Sequence, residues 1–271
     1  MITPLYGQLS PLRIPTSSRF ISADANVSSY ILAVESADGQ QLEAGVITAV
    51  ESFVLGCKSD GIWSAIKASC ILAGARTISG ALVPLVGTAP TNNNFVTADY
   101  NRETGLIGDG STKYLNTNRN HNLDAQNNHH AAVWATSIST TAQRNLYGAN
   151  SSANNGSGIQ IYTNTSYRLR SRSGIFVQSV SNVTNTGLQG ISRPASASYT
   201  FRSNLTDYTI NTASAAPVST ASGIFANIST STPSSYSASR ASFYSIGGNL
   251  NLALLDTRVS NLMTALAAAI P

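Results

Sequence analysis

Charge is what this chain has least of. Only 10% of its 271 residues are Asp, Glu, Lys or Arg, against about 25% in an ordinary globular protein. Acids are scarcest. Between Asp124 and Asp207 there is none, and between Asp207 and Asp256 the only charged residue is Arg240. Glycoside hydrolysis needs two carboxyl groups about 5–10 Å apart, and this stretch offers no such pair. Asp99, Glu103 and Asp109 lie in a turn-rich segment, without the alternation that would place several on one strand face. A calcium site built from clustered carboxylates is equally unsupported. Gly-x-Ser-x-Gly is absent, so the strained turn that exposes a nucleophilic serine has no counterpart. The net charge of +4 reflects a shortage of acids as much as an excess of bases. It is too mild to argue for nucleic acid.

The two cysteines, Cys57 and Cys70, match no zinc spacing and cannot build a disulfide framework in a chain this long. Both fall in helix-like patterns and read as buried, reduced, small hydrophobes. No apolar run approaches the length of about 18 residues that a membrane span requires. The start, Met1-Ile-Thr-Pro-Leu-Tyr6, has neither the basic nor the apolar region of a secretory signal. Synthesis in a cytoplasm is the expectation, followed by assembly elsewhere.

What is present changes character along the chain. Residues 1–23 carry Pro4, Pro11 and Pro15 and read as an extended arm. Leu5, Tyr6, Leu9, Leu12 and Ile14 give that arm enough apolar surface to dock on its own domain or on a neighbour. Residues 24–75 read as a small helical subdomain. Asp24 caps a first helix with Val27, Ile31 and Val34 on one stripe, ended by Gly39. Leu42, Val46, Ala49 and Phe53 mark a second, stopping near Gly56. Ser59 or Asp60 starts a third with Ile62, Ile66, Cys70 and Ala73 inside, closed by Gly74. About 50 residues are marginal alone and should pack on the rest of the chain or on a partner. Residues 76–100, interrupted by Pro84 and Pro90, form a transition.

From residue 101 short runs rich in Ile, Val, Tyr, Phe and Thr alternate with Asn, Ser and Gly clusters. His130–Ser137, Gly158–Tyr162, Ser166–Arg172, Gly174–Val180, Ser198–Arg202, Tyr208–Asn211, Gly223–Ile228 and Ala241–Ile246 read as strands. That spacing predicts an α+β, mainly β protein: two antiparallel sheets packed as a sandwich of jelly-roll type. Leu252, Leu255, Val259, Leu262 and Leu266 follow 3-4-3-4 spacing and predict a terminal helix over 252–269. Asn251 is its N-cap and Asp256 belongs to its first turn. The helix either caps the sandwich or forms an oligomer seam.

Two clusters invite a functional reading. His121, His129 and His130 lie in an Asn-rich stretch, where a solvated loop with a mild pH response is the plainer expectation than a metal site. Arg168, Arg170 and Arg172 alternate along one strand and predict a shared face. That face is either simply solvated or a docking surface for an acidic protein or an anionic glycan. No aromatic interleaving points it at nucleic acid.

The run from Leu72-Ala-Gly-Ala-Arg-Thr-Ile-Ser-Gly-Ala-Leu-Val-Pro84 to Thr91 is followed by Asn94-Phe-Val96 and Asp99-Tyr-Asn-Arg102. Then come Thr104-Gly-Leu106 and Gly108-Asp-Gly-Ser-Thr-Lys-Tyr-Leu115. Together with Gly56-Cys-Lys-Ser-Asp-Gly-Ile-Trp63 upstream, these residues resemble virion structural proteins of tailed bacteriophages, notably phages of aquatic bacteria. The body from Gly108, ending in Ser242-Phe-Tyr-Ser-Ile-Gly-Gly-Asn-Leu250 and a helix, resembles a concanavalin A-like (laminin G-like) sandwich. The resemblance covers residues 24–271. It implies a non-enzymatic particle component without cofactor. A capsid decoration protein comes first, a tail fibre or receptor-binding protein second. It also implies other virion proteins as partners, a host-surface glycan as a further one, and a homo-oligomer, with a trimer favoured.

Overall fold

The computed structural model describes residues 21–139, 143–150, 155–163, 166–181, 186–230 and 232–271. Leu5, Tyr6, Leu9, Leu12 and Ile14 of the arm lie outside the described residues.

Two antiparallel sheets and a layer of helices make up the molecule. Helix α1 is Ala25–Asp38. The Asp24 carboxylate accepts from the N–H groups of Asn26 and Val27, and Gly39 ends the helix at φ 70°, the left-handed conformation that costs glycine nothing. Helix α2, Ala44–Ser59, runs through Gly56 rather than stopping there. Gly56 serves packing: a Cβ would sit 2.8 Å from the Arg258 side chain of the terminal helix.

The third expected helix is a strand. Residues Ile66–Ile71 form β1, antiparallel to the last strand of the chain. Its two faces are both apolar. Ala68, Cys70 and Leu72 enter the space between the sheets, while Ile66, Ile71 and Ala73 meet the helices. A strand buried on both sides has no polar alternation, and its apolar run looks like a buried helix. A short helix α3 follows, Ile78–Ala81.

The remaining strands are β2 (Thr91–Asn93), β3 (Tyr100–Asn101), β4 (Gly105–Ile107), β5 (Tyr114–Asn120), β6 (His129–Ser137), β7 (Arg144–Asn150), β8 (Gly156–Thr163) and β9 (Ser166–Ser173). They continue with β10 (Val177–Ser181), β11 (Gly187–Arg193), β12 (Ser198–Ser203), β13 (Thr206–Asn211), β14 (Ala221–Ile224), β15 (Asn227–Ser229), β16 (Thr232–Ser234) and β17 (Arg240–Gly247). The first sheet runs β13-β12-β11-β6-β17-β4-β3, with β1 also on β17. The second runs β10-β9-β8-β7-β14-β5-β2, with β15 joining β7 and β16 joining β15. Among the named strand pairs, only β15 with β7 is parallel.

Leu115, Val133, Leu146, Ile159, Leu169, Ile191, Phe201, Ile224 and Tyr244 fill the space between the sheets. The terminal helix α4, Leu252–Ala269, has the expected bounds, and Asn251 accepts from the N–H groups of Ala253 and Leu254. Asp256 lies beyond its first turn and is buried. Helices α1, α2 and α4 share one core with Ala132, Leu188 and Phe243, which point outward from the first sheet. Phe53 of α2 meets Phe243 edge-on, with ring centroids 5.5 Å apart. The N-terminal helices therefore use the sandwich and α4 as their other half, which supplies the apolar area a 50-residue piece lacks.

Candidate functional site: buried arginines and histidines, and an uncharged groove

Strand β9 hides Arg170 and Arg172 from solvent and leaves Arg168 half-buried. Tyr167 and Leu169 point into the core between the sheets, so Arg168 and Arg170 take the opposite face. There Phe176 lies against both, with its ring centre 5.1 Å from the Arg168 guanidinium and 4.1 Å from that of Arg170. Tyr162 flanks Arg168 at 5.0 Å. Arg168 is half-buried and Arg170 only 2% exposed. Desolvation lowers the Arg170 pKa to about 10, which leaves it charged at neutral pH.

Arg172 departs from the expected alternation altogether. Its φ is 48°, and the β8–β9 register slips between Gly156 and Gly158, opposite it. This irregularity re-aims the side chain. Nη1 donates to the Asp124 carbonyl at 2.7 Å and Nη2 to the carbonyl of His121. The shared docking face expected of Arg168, Arg170 and Arg172 is thus replaced by aromatic contacts and an internal anchor.

Arg193 follows the same logic. It is fully buried, and its guanidinium donates to the carbonyls of Ser171, Ala195, Ser196, Ser198 and Thr212 at 2.6–3.3 Å. Five donors in a planar fork suit converging carbonyls. This is why arginines recur here without acids: main-chain dipoles and ring faces solvate them. Arg202 is the exception, bound to Asp207 and Asp256.

The three histidines are buried rather than solvated, at 2%, 0% and 0% exposure for His121, His129 and His130. His121 opens a short turn, while His129 and His130 begin β6. The Val218 N–H points at His121 Nδ1, so that nitrogen is the acceptor and Nε2–H donates to Ser157 Oγ at 2.7 Å. His130 Nδ1 faces the Gly248 carbonyl, and its Nε2 lies 2.8 Å from Ser245 Oγ. His129 stacks edge-on against His121 with centroids 5.1 Å apart. Its Nδ1 is buried without a hydrogen-bond partner among the described residues. Desolvation is the largest cause and lowers all three pKa values; Arg172 adds to it at His121, and His121 and Arg172 add to it at His129. His130 falls to about 4, with burial the largest cause. Among the described residues no set of three His, Cys, Asp or Glu side chains is placed to hold a metal ion.

Surface concavities lie elsewhere. A groove of about 480 Å3 runs along the second sheet, lined by Tyr114, Asn116 and Asn120 of β5, by Ser219–Ala221 leading into β14, and by Ile228 and Thr230. Among the described residues no charged side chain lines it. Tyr114 is held edge-on by Tyr236, with centroids 6.0 Å apart. A second concavity of about 420 Å3 lies over the first sheet among Trp134, Leu188, Leu205 and Asp256. The strand pattern did not single out either one. Their walls come from strands and loops far apart in sequence, and β5 itself is too polar to read as a strand.

No family model matches the sequence, and no curated protein matches it. Among solved structures, the chain is similar to the binding domain of botulinum neurotoxin serotype D, at 11% identity and a TM-score of 0.50 over 73% of this chain and 51% of that one. It is also similar to a mutant Trypanosoma rangeli sialidase displaying trans-sialidase activity, at 11% identity and a TM-score of 0.48 over 80% of this chain and 39% of that one. The chain therefore spans about half of the first and less of the second. At such identity the likeness concerns the fold: a β-sandwich.

Proposed function

We propose that this chain is a non-enzymatic surface protein of a tailed-phage particle, in the first place a capsid decoration protein. The particle assignment rests on the sequence resemblance of residues 24–271. The observation that supports the non-enzymatic part is where the carboxylates are. Asp24, Asp60, Asp99, Asp124, Asp207 and Asp256 each pair with a Lys or Arg, and Glu43 with Arg76 and Arg102. Asp38 and Asp109 accept from main-chain N–H groups, Glu35 from that of Leu42, and Glu51 from Ser22. Among the described residues no two of these carboxylates line the same one of the two concavities, which supports a reading without acid–base hydrolysis there.

On this reading the sandwich is a stiff outward body, while the arm and helices attach it to the particle as a homotrimer. Re-addition of purified protein to particles stripped of it tests this. Particles take up the full chain, and a chain lacking residues 1–20 is taken up less. Failure of the full chain to bind overturns the assignment, and hydrolysis of a cell-surface polysaccharide overturns the non-enzymatic part. The uncharged groove favours a second reading, a receptor-binding protein of the same particle.

A further inference from the structure

We infer that the groove between β5, the entry to β14 and the β15–β16 hairpin is a binding site for a neutral, hydroxyl-rich glycan, held without a metal ion. This deepens the non-enzymatic reading: the glycan is bound and not cleaved.

The lining carries the argument. The Tyr114 hydroxyl and the side chains of Asn120, Ser219 and Thr230 make no hydrogen bond with other described residues. Asn116 uses its amide oxygen to accept from Asn118 N–H, which leaves its amide nitrogen to donate outward. Together these groups offer several donors and acceptors, all short and all neutral. Such a set matches the mixed donor–acceptor character of sugar hydroxyls. Tyr114 adds an aromatic surface against which the C–H face of a pyranose can pack, and Tyr236 fixes that ring edge-on. The volume of about 480 Å3 is within the usual range for a small-ligand site.

The same lining disfavours other ligands. Among the described lining residues there is no Lys or Arg to meet a carboxylate, sulfate or phosphate, and no Asp or Glu to hold calcium. At Tyr114–Asn116, β5 is already paired with β2 on one side and β14 on the other, so the groove floor there offers no free main-chain edge to an added strand.

An array of neutral oligosaccharides, with sialylated and sulfated versions of the same cores, probed with the full-length protein in the presence of a calcium chelator, tests the site. Binding to neutral members is expected, undiminished by chelation. Asn120→Ala weakens it about tenfold or more, equivalent to the loss of one good hydrogen bond. Tyr114→Leu does the same, and unchanged thermal melting of the Asn120 variant separates binding from folding. Leu205→Asn, in the other concavity, leaves affinity unchanged. Four outcomes overturn the inference: no binding to any neutral glycan, preference for the anionic cores, loss on chelation, or full affinity in the Asn120→Ala, Tyr114→Leu double variant. A bound glycan that is then cleaved overturns the non-enzymatic reading instead and leaves the groove assignment standing.

Discussion

Arg202 Nε lies 2.7 Å from Asp256 Oδ2, and this pair ties strand β12 to helix α4. The Asp256 side chain is only 3% exposed, and desolvation raises its pKa even with Arg202 beside it. Arg202 divides its attention, because Nη1 also binds the half-exposed Asp207. Removing the carboxylate leaves a largely buried guanidinium with one exposed partner. Asp256→Ala is expected to cost about 3 kcal/mol, the lower end for breaking a buried pair. Urea denaturation measures it, and a change within experimental error means that the pair contributes nothing net.

Arg193 holds together chain segments that share no regular structure. Its five hydrogen bonds converge on Ser171, on the 195–198 turn and on Thr212. Arg193→Met orphans those carbonyls, at about 1–3 kcal/mol for each left buried. Arg193→Lys does not restore the fork, since an ammonium cannot reach diverging acceptors in one plane. Amide hydrogen exchange should show protection lost in 195–198 and 212–215 in both variants. Exchange unchanged in the lysine variant means that charge alone suffices.

The histidines predict acid sensitivity with a definite sign. Folded, His121, His129 and His130 stay neutral, because burial lowers their pKa values below the ordinary histidine value of 6.5. Unfolded, each binds a proton near pH 6.5. The unfolded state therefore binds more protons, and stability falls as pH drops below 6.5. Loss continues until the folded pKa is reached, which for His130 is about 4. The limiting slope is about 1.4 kcal/mol per pH unit for each histidine. Asp256, whose pKa burial raises, takes up its proton earlier in the folded state and opposes this trend, so the difference between wild type and a His130 variant at pH 7.0 and 5.0 isolates the histidine effect. A His130→Gln variant should lose one proton's worth of slope, and a difference between the two proteins that is the same at both pH values would refute the burial argument.

Cys57 and Cys70 are fully buried, and desolvation pushes both thiols up to about 12. Neither should react with a thiol reagent at pH 8 in the native protein, and both should react once urea unfolds it. Rapid labelling of the native protein would mean that the helix layer opens at Cys57 or that the sheet opens at Cys70.

Much of the framework was readable in the chain itself. Asp24 and Gly39 bound the first helix, and Asn251 begins the last one, because capping depends on residues within four positions of each other. The strands at His129–Ser137 and Arg240–Gly247 carry their own β-branched and aromatic signature, and Ser166–Ser173 its alternation. The poverty of acids was also legible in composition alone: no Asp or Glu lies between Asp124 and Asp207.

Other features were decided by tertiary structure, for physical reasons that no local window contains. Ile66–Ile71 is a strand because β17 supplies its hydrogen bonds and apolar layers cover both its faces. Arg170 and Arg172 are interior because Phe176 and two distant carbonyls stand where solvent was expected. The histidines are neutral because the sheets close over them. The groove exists only because β5 and the β15–β16 hairpin, about a hundred residues apart, meet on one face. Short-range residue chemistry determined the elements and the missing acids; long-range packing alone determined which charges were hidden and which surface was left open.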